Sequence, residues 1–367
     1  MPDGLTVSTD HPGGNGRVVA VEGDTLRLEQ EVRDSTEWWF YWNVAVTSDR
    51  AREVTVAFED GEVVGRWGPA VDRGDGWEWL GASSSPDRET FRYEFAAGET
   101  VRFAFSFPYQ RGDLEAFLAD RPGVERRTLA RTDAGRSVPA LALGDPDADR
   151  HVAFACRHHA CESTASYVLE GLLSRVADGE ALADRRVHAF PMVDVDGVER
   201  GDQGKARGPH DHNRDYATGN GVVADLDPIY PSTRAVTGAV ESLPGDLDAV
   251  LDLHCPYKWG GHDDRAFLIR PPGEAGEAVA DLSARLAATT GGVDYGEDHD
   301  LEAADLDWWQ PRSPTFSNFG RSAGAPLSTT LEFPYFGTEG SVVTPASARE
   351  FGARVADALD RHLGDGN

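Results

Sequence analysis

The hydrophobic pattern of this chain changes period near Tyr109, and no single layer type accommodates both parts. Before that point, segments such as "REVTVAFED", "TFRYEFAAGE" and "TVRFAFSFPY" alternate apolar and polar residues, with Gly- and Asp-rich turns between them. A period of two puts one face of a strand inward and the other outward. No helical pattern interrupts it, so residues 1–112 are expected to form two packed antiparallel sheets, an N-terminal β-sandwich domain. Five consecutive aromatics, Trp38–Trp42, fall here. They are expected in the sandwich core or at its junction with the rest of the chain.

After Tyr109, "GDLEAFLADRP" reads as a short capped helix ended by Pro122, and "RRTLARTDAGRSVPALALG" as a hairpin about Asp133-Ala134-Gly135. Strand-like runs ("HVAFACRHH", "RVHAFPMVD", "AVLDLHC", "LSTTLEFP") then alternate with helix-like ones ("ESTASYVLEGLLSRVADG", "EAVADLSARLAATTG", "SAREFGARVADALDRHL"). That rhythm predicts an α/β domain over residues 113–367, with a mostly parallel or mixed sheet covered by helices on both faces. A length of 367 residues exceeds one ordinary core and suits two domains.

Charge narrows the partners. With 63 Asp+Glu against 35 Lys+Arg, the net charge is −28. Such a chain has no general affinity for nucleic acid or anionic membranes, and neither is expected as a partner. Only Lys205 and Lys258 are lysines, so 33 of the 35 basic residues are arginines. Acid excess with scarce lysine fits a halophilic protein from a salt-rich cytoplasm, where ions screen self-repulsion. An acidic protein from a GC-rich genome is the plainer alternative. Three cysteines, Cys156, Cys161 and Cys255, are too few for a disulfide framework and read as small packing residues. The opening MPDGLTVSTD lacks the basic and apolar stretches of a signal peptide, and no apolar run approaches the roughly 18 residues of a membrane helix. A cytoplasmic location is expected; the sequence sets no oligomeric state.

Four chemical features sit at strand ends, where open α/β sheets gather their ligand sites. In His159-Ala160-Cys161-Glu162, side chains three apart at the opening of a helix face the same way and can share a metal. His158 is the alternative imidazole, at a spacing of four. His254 ends the apolar strand "LDLHC" and completes a His/Glu/His set, leaving one zinc position for water. In "HDHNRDY", Asp211 can accept from the far nitrogen of a metal-bound histidine, and Asn213 precedes Arg214, whose guanidinium forks onto carboxylates. Glu332 lies in the apolar strand "TTLEF"; a buried glutamate is paired or functional, and beside a zinc-bound water it would be the general base.

In order and context these segments resemble the zinc metallocarboxypeptidases, and within them the cytosolic carboxypeptidase-like branch, which places a β-sandwich before the catalytic domain. "CRHHACESTASYVLEGLL" is similar to the family's H-x-x-E segment, "DVDGVERGDQGKARGPHDHNRDY" to its N-P-D-G…D-x-N-R segment, "LDLHC" to the strand of the third ligand and "TLEF" to that of the catalytic glutamate. The resemblance covers nearly the whole chain. It implies a carboxypeptidase-like mixed eight-stranded-type sheet flanked by helices. It also implies one zinc per chain on His159, Glu162 and His254, Glu332 as general base, Asn213 and Arg214 on the substrate's terminal carboxylate, and Asp211 orienting His159. The family's usual oxyanion arginine falls on Gly204; Lys205 is the expected replacement, with Arg207 as the alternative. Tyr295, Trp308 and Trp309 fall in a stretch that could supply a mobile aromatic.

The implied activity is zinc-dependent removal of C-terminal residues from peptides or protein tails, hydrolysing with water activated by Glu332. Two alternatives stand beside it. A deacylase of small N-acyl amino acids would share the zinc set but usually lacks this Asn-Arg pair and the front sandwich. A catalytically dead binding module would lack Glu332 or a zinc ligand, and none is missing. Arg312 and Arg321, upstream of Glu332, give a slight lean toward acidic C-termini.

Overall fold

The computed structural model describes residues 4–59, 61–217 and 227–364. Nine strands precede residue 112: β1 Leu5–Ser8, β2 Arg17–Glu22, β3 Thr25–Glu29, β4 Asn43–Ser48, β5 Arg52–Phe58, β6 Ala70–Asp72, β7 Trp77–Trp79, β8 Thr90–Phe95 and β9 Thr100–Ala104. They form a five-stranded sheet, β1-β4-β9-β6-β7, and a four-stranded sheet, β2-β3-β5-β8. Period-two burial turns Val54, Val56 and Phe58 of β5, and Phe91, Tyr93 and Phe95 of β8, inward. Phe103 of the other sheet meets Phe91 and Tyr93 at ring distances of 5.0 and 5.1 Å. One expectation needs correction: the four-stranded sheet is not purely antiparallel, because β3 and β5 run parallel. Between them the chain crosses to the other sheet as β4, and returns in the direction in which it left.

After α1 (Arg111–Ala119) comes an eight-stranded mixed sheet. Its strands are β10 Glu125–Arg131, β11 Ser137–Gly144, β12 Arg150–Cys156, β13 Arg186–Phe190, β14 Asp246–His254, β15 Phe267–Arg270, β16 Leu301–Glu302 and β17 Leu327–Glu332. They lie in the order β10-β11-β13-β12-β14-β17-β15-β16. The helices are α2 Thr164–Ala177, α3 Val195–Arg200, α4 Pro231–Glu241, α5 Glu274–Ala287, α6 Phe316–Ser322 and α7 Pro345–Gly364. β12 reads as unbroken apolar sequence because both its faces are covered. Val152, Phe154 and Cys156 share a core with α2, α5 and α7, whereas Ala153 and Ala155 face the cluster of α4 and α6.

The larger of these cores runs on into the two N-terminal sheets. Phe40 packs on Tyr335 (5.5 Å) and Trp79 on Phe336 (5.2 Å), while the indole N–H groups of Trp67 and Trp79 donate to the carbonyls of Phe336 and Val343. The aromatic run thus divides. Phe40, Tyr41 and Trp42 are buried, and Trp38 and Trp39 are half-buried. Among the described residues, no helix is long and apolar enough to cross a membrane.

Candidate active site

Three adjacent parallel strands, β12, β14 and β17, end at one edge of the large sheet, with Cys156 level with Leu253 and His254 level with Glu332. His254 and Glu332 are the last residues of their strands. Beyond β12 the chain turns sharply at Arg157, a buried residue with φ of 60°. Its guanidinium donates to the carbonyls of Tyr109 and Ala160 and to Ser166 Oγ. His159 and Glu162 therefore sit on a turn, not on the opening of the helix as the sequence suggested; α2 starts only at Thr164. Glu162 N still donates to His159 O (3.3 Å), but Cys161 N donates outward to Gln203 O, so the segment is fastened to a neighbouring loop.

The Glu162 carboxylate lies between two imidazoles, with Oε1 2.9 Å from His159 Nδ1 and Oε2 2.7 Å from His254 Nδ1. Donor atoms of His159, Glu162 and His254 all fall within 4.8 Å of one another, as do those of His158, Asp252 and His254. Two nitrogens and a carboxylate suit zinc in either case. The cavity separates the two groups: His159, Glu162 and His254 line it, whereas His158 is buried behind, bonded to Asp252 (3.0 Å) and Tyr216 (2.8 Å). A catalytic metal needs an open position, which only the first group offers. Burial alone would raise the Glu162 carboxyl, but Lys205, His159 and His254 outweigh it and hold the group well below its usual range. Glu332 lines the same cavity, and burial pushes its carboxyl up to about 7 against the pull of His254. Its Oε2 has no hydrogen-bond partner among the described residues.

The loop after α3 brings in the cation. Lys205 Nζ is 2.6 Å from Glu162 Oε1 and 5.2 Å from the centre of the Trp39 ring. Gly204 has φ of +83°, and a Cβ there would lie 2.2 Å from Ala160 N. An arginine at 204 is sterically excluded. Arg207 is committed elsewhere, between Asp34 (3.1 Å), Asp194 (2.9 Å) and Asp202 (3.5 Å), and does not line the cavity. Asp211 stands 3.6 Å from His159 Nε2 and caps Asn213 N at 2.8 Å. Arg214 reaches the cavity beneath Trp308, 6.0 Å from its ring. Asn213 also lines the cavity, yet its amide is engaged at both ends: Nδ2 with Asp252 Oδ2 (3.0 Å) and His254 Nε2 (2.9 Å), Oδ1 with Phe316 N (3.0 Å).

The chain matches no protein-family profile. Cytosolic carboxypeptidase 6 of Caenorhabditis elegans is 27% identical over 184 residues, which is 45% of this chain and 39% of that protein. The chain thus spans well under half of that relative's length. In solved structures, the metallo-carboxypeptidase of Burkholderia cenocepacia superposes with a TM-score of 0.78 at 19% identity, over 99% of this chain and 100% of that one. The metallo-carboxypeptidase of Pseudomonas aeruginosa, in complex with (2-guanidinoethylmercapto)succinic acid, gives 0.76 at 17% identity, with 99% and 100% coverage. The chain is similar in sequence to a cytosolic carboxypeptidase and in fold to metallo-carboxypeptidases. The two structures establish the shared fold, extending over both the N-terminal sheets and the eight-stranded sheet.

In this chain the cavity holds about 620 Å³, and sequence reasoning had not assigned much of its wall. Trp39 lines it from the connection between β3 and β4, and Tyr257 and Asp263 from the segment after β14. The aromatic run gave a signal for Trp39, but not for which ring faces out. Tyr257 lies in a loop and Asp263 in the single 3₁₀ turn Gly261–Asp264, both too short for a periodicity to read. Asp252, 3.0 Å from His254 Nε2, sits two residues before it and faces the same way along the strand; that spacing was a usable signal. Trp308 and Trp309 line the cavity, but Tyr295 is buried against Ser283 and Asp300. Arg321 lines it too, its Nη1 donating to Ser328 O, while Arg312 does not.

Proposed function

We propose that the protein is a zinc-dependent carboxypeptidase that removes C-terminal residues from peptides or protein tails. The observation that carries this is the convergence of His159 Nδ1, the Glu162 carboxylate and His254 Nδ1 at a cavity that Glu332 also lines. Residues 1–112 and 113–367 are read as sandwich and catalytic domains. The names of the cytosolic relatives and the three free, buried cysteines support a cytoplasmic location. The −28 charge supports work in high salt.

His159, Glu162 and His254 would hold one zinc. Bound there, the metal would supply a Lewis acid that polarises the scissile carbonyl and brings the pKa of water toward neutrality. Glu332, with its carboxyl raised toward 7 by burial, takes the proton from the attacking water and returns it to the leaving amine. Lys205 Nζ lies 2.6 Å from Glu162 Oε1; with Glu162 engaged in holding the metal, the ammonium would be free to turn into the cavity and meet the charge that develops on the carbonyl oxygen. Arg214 grips the terminal carboxylate as a fork. Asn213 adjoins that grip and must exchange one of its internal contacts to join it. Asp211 keeps the His159 ring turned. The succinic-acid compound held by the Pseudomonas relative supports a carboxylate-binding site on this fold. The comparisons give the deacylase alternative no support.

The test is metal content beside mass spectrometry of peptides with free and blocked C-termini, in molar salt. One zinc per chain with stepwise loss of C-terminal residues is the expected result. Zinc without trimming sinks the carboxypeptidase reading; absence of zinc sinks the metal site.

A further inference from the structure

The loop from Gly201 to Gly208 contains no helix or strand, so its backbone groups must find partners elsewhere. Many of them find those partners in the first 43 residues. Asn15 Nδ2 donates to Gly201 O (2.7 Å), and Arg33 Nε to Asp202 Oδ1 (3.1 Å). The buried Gln203 amide bridges Tyr41 N, Tyr41 O and Glu31 O. Thr36 N donates to Ala206 O. The most central tie is Asp34. One carboxylate oxygen accepts Gln203 N (2.9 Å); the other accepts Gly204 N (2.8 Å) and Arg207 Nη2 (3.1 Å). These are the two residues immediately before Lys205.

Lysine is a flexible stem, so where its ammonium points is set by where its backbone is held. The Gly204 backbone already lies against His159 and Ala160. Asp34 accepts from the peptide N–H groups of Gln203 and Gly204, and the Trp39 ring limits where the ammonium can lie. We propose that Asp34, far upstream in sequence, is a positioning residue for Lys205, and that the N-terminal sheets thereby form part of the active site. This rests on the oxyanion role given to Lys205 above. Asn15 and Arg33 hold Gly201 and Asp202 on the loop's leading flank, so they bind the two parts together without aiming the lysine, whereas Thr36 steadies Ala206 on the far side of Lys205.

The test uses the full-length, zinc-loaded protein. Asp34→Ala and Lys205→Ala should each lower kcat on a free C-terminal peptide by about tenfold or more, a typical cost of misplacing a catalytic group. The double variant should be no slower than Lys205→Ala alone. Arg33→Ala should leave kcat unchanged. A second readout needs no activity. The chain has two lysines, so 13Cε-lysine labelling gives two side-chain resonances, which Lys205→Arg assigns. Asp34→Ala should move the Lys205 signal to the position of a solvated lysine and leave Lys258, held at 4.6 Å from the Trp259 ring, where it is. Should Asp34→Ala fold poorly, Asp34→Asn, which loses one acceptor, should shift the same signal by less. An unmoved Lys205 resonance, or losses that simply add, would overturn the proposal. So would a fully active Lys205→Ala, which leaves the peptidase reading standing. If the wild type trims nothing, that reading fails by itself and the resonance still decides the role of Asp34.

Discussion

The central strand β12 has a histidine at its start and two just past its end, and the two sites behave in opposite ways. His151 faces His188 of β13 across 3.1 Å, and neither forms an ion pair with a carboxylate among the described residues. Burial lowers both imidazoles, that of His151 against the pull of Asp149 and Asp248, and that of His188 to about 4 with the help of neighbouring positive charge. At the other end burial would also lower His159, but Glu162 and Asp211 reverse it and raise the group. Residue type is alike; the carboxylates differ. A neutral pair that only packs has become, at the far end, a charged set whose donor atoms converge on a cavity. Ligand sites of α/β sheets lie at the C-terminal strand ends, and this strand illustrates the rule within its own length.

Changes at the C-terminal end should therefore alter chemistry, and changes at the other end only stability. The largest expected effect is from Glu332→Gln. It should keep zinc, measured by metal analysis, and lose about 10²- to 10⁴-fold in kcat, the scale of general acid–base catalysis. His151→Gln should leave kcat alone; equal losses from both would erase the contrast. Next is Arg214→Ala. Removing one partner of a desolvated charge pair costs about 2 kcal/mol or more, roughly thirtyfold in kcat/KM. The loss should appear with free C-termini and not with amidated ones, and equal losses would remove the anchoring role. Smaller again is Asp211→Asn, expected to weaken zinc about tenfold in a chelator competition, the low end for a residue steadying a ligand, because its contact is 3.6 Å long. No change would show that His159 needs no such partner.

How far the sequence foretold these placements depended on what carries each residue. His254 and Glu332 end strands whose apolar runs were plain, and register alone sets them side by side. A mixed sheet covered by helices followed from the alternation of periods, and its eight strands from the family resemblance. Loop residues were harder. Lys205 stood out by the rarity of lysine, but the reason an arginine cannot stand at 204 is a contact with Ala160, 44 residues away in sequence, which no local pattern encodes. Asp34 looked like one more acid among 63. His159 and Glu162 were assigned to a helix turn, whereas they sit 2.9 Å apart on a turn before the helix, because the turn at Arg157 depends on a buried guanidinium bonded to Tyr109 O.

The smallest prediction concerns the quiet end of β12. His188 is lowered to about 4 by burial, then by His151, Arg186 and Arg127, with Glu125 opposing; Asp149 and Asp248 oppose the lowering of His151. A histidine with a folded pKa below its unfolded value of about 6.5 binds fewer protons when folded. Its contribution to stability is therefore complete above pH 6.5 and is lost as pH falls from 6.5 toward 4. Full linkage would give about 2 kcal/mol between pH 7 and 5, and partial exposure of His188 cuts that to about 1 kcal/mol. Urea unfolding at the two pH values, in constant salt, should show the wild type losing about that much more stability than His188→Gln. An equal loss in both would mean that His188 accepts its proton freely in the folded state. The difference between the two ends of the strand would then rest on the carboxylates at the C-terminal end alone.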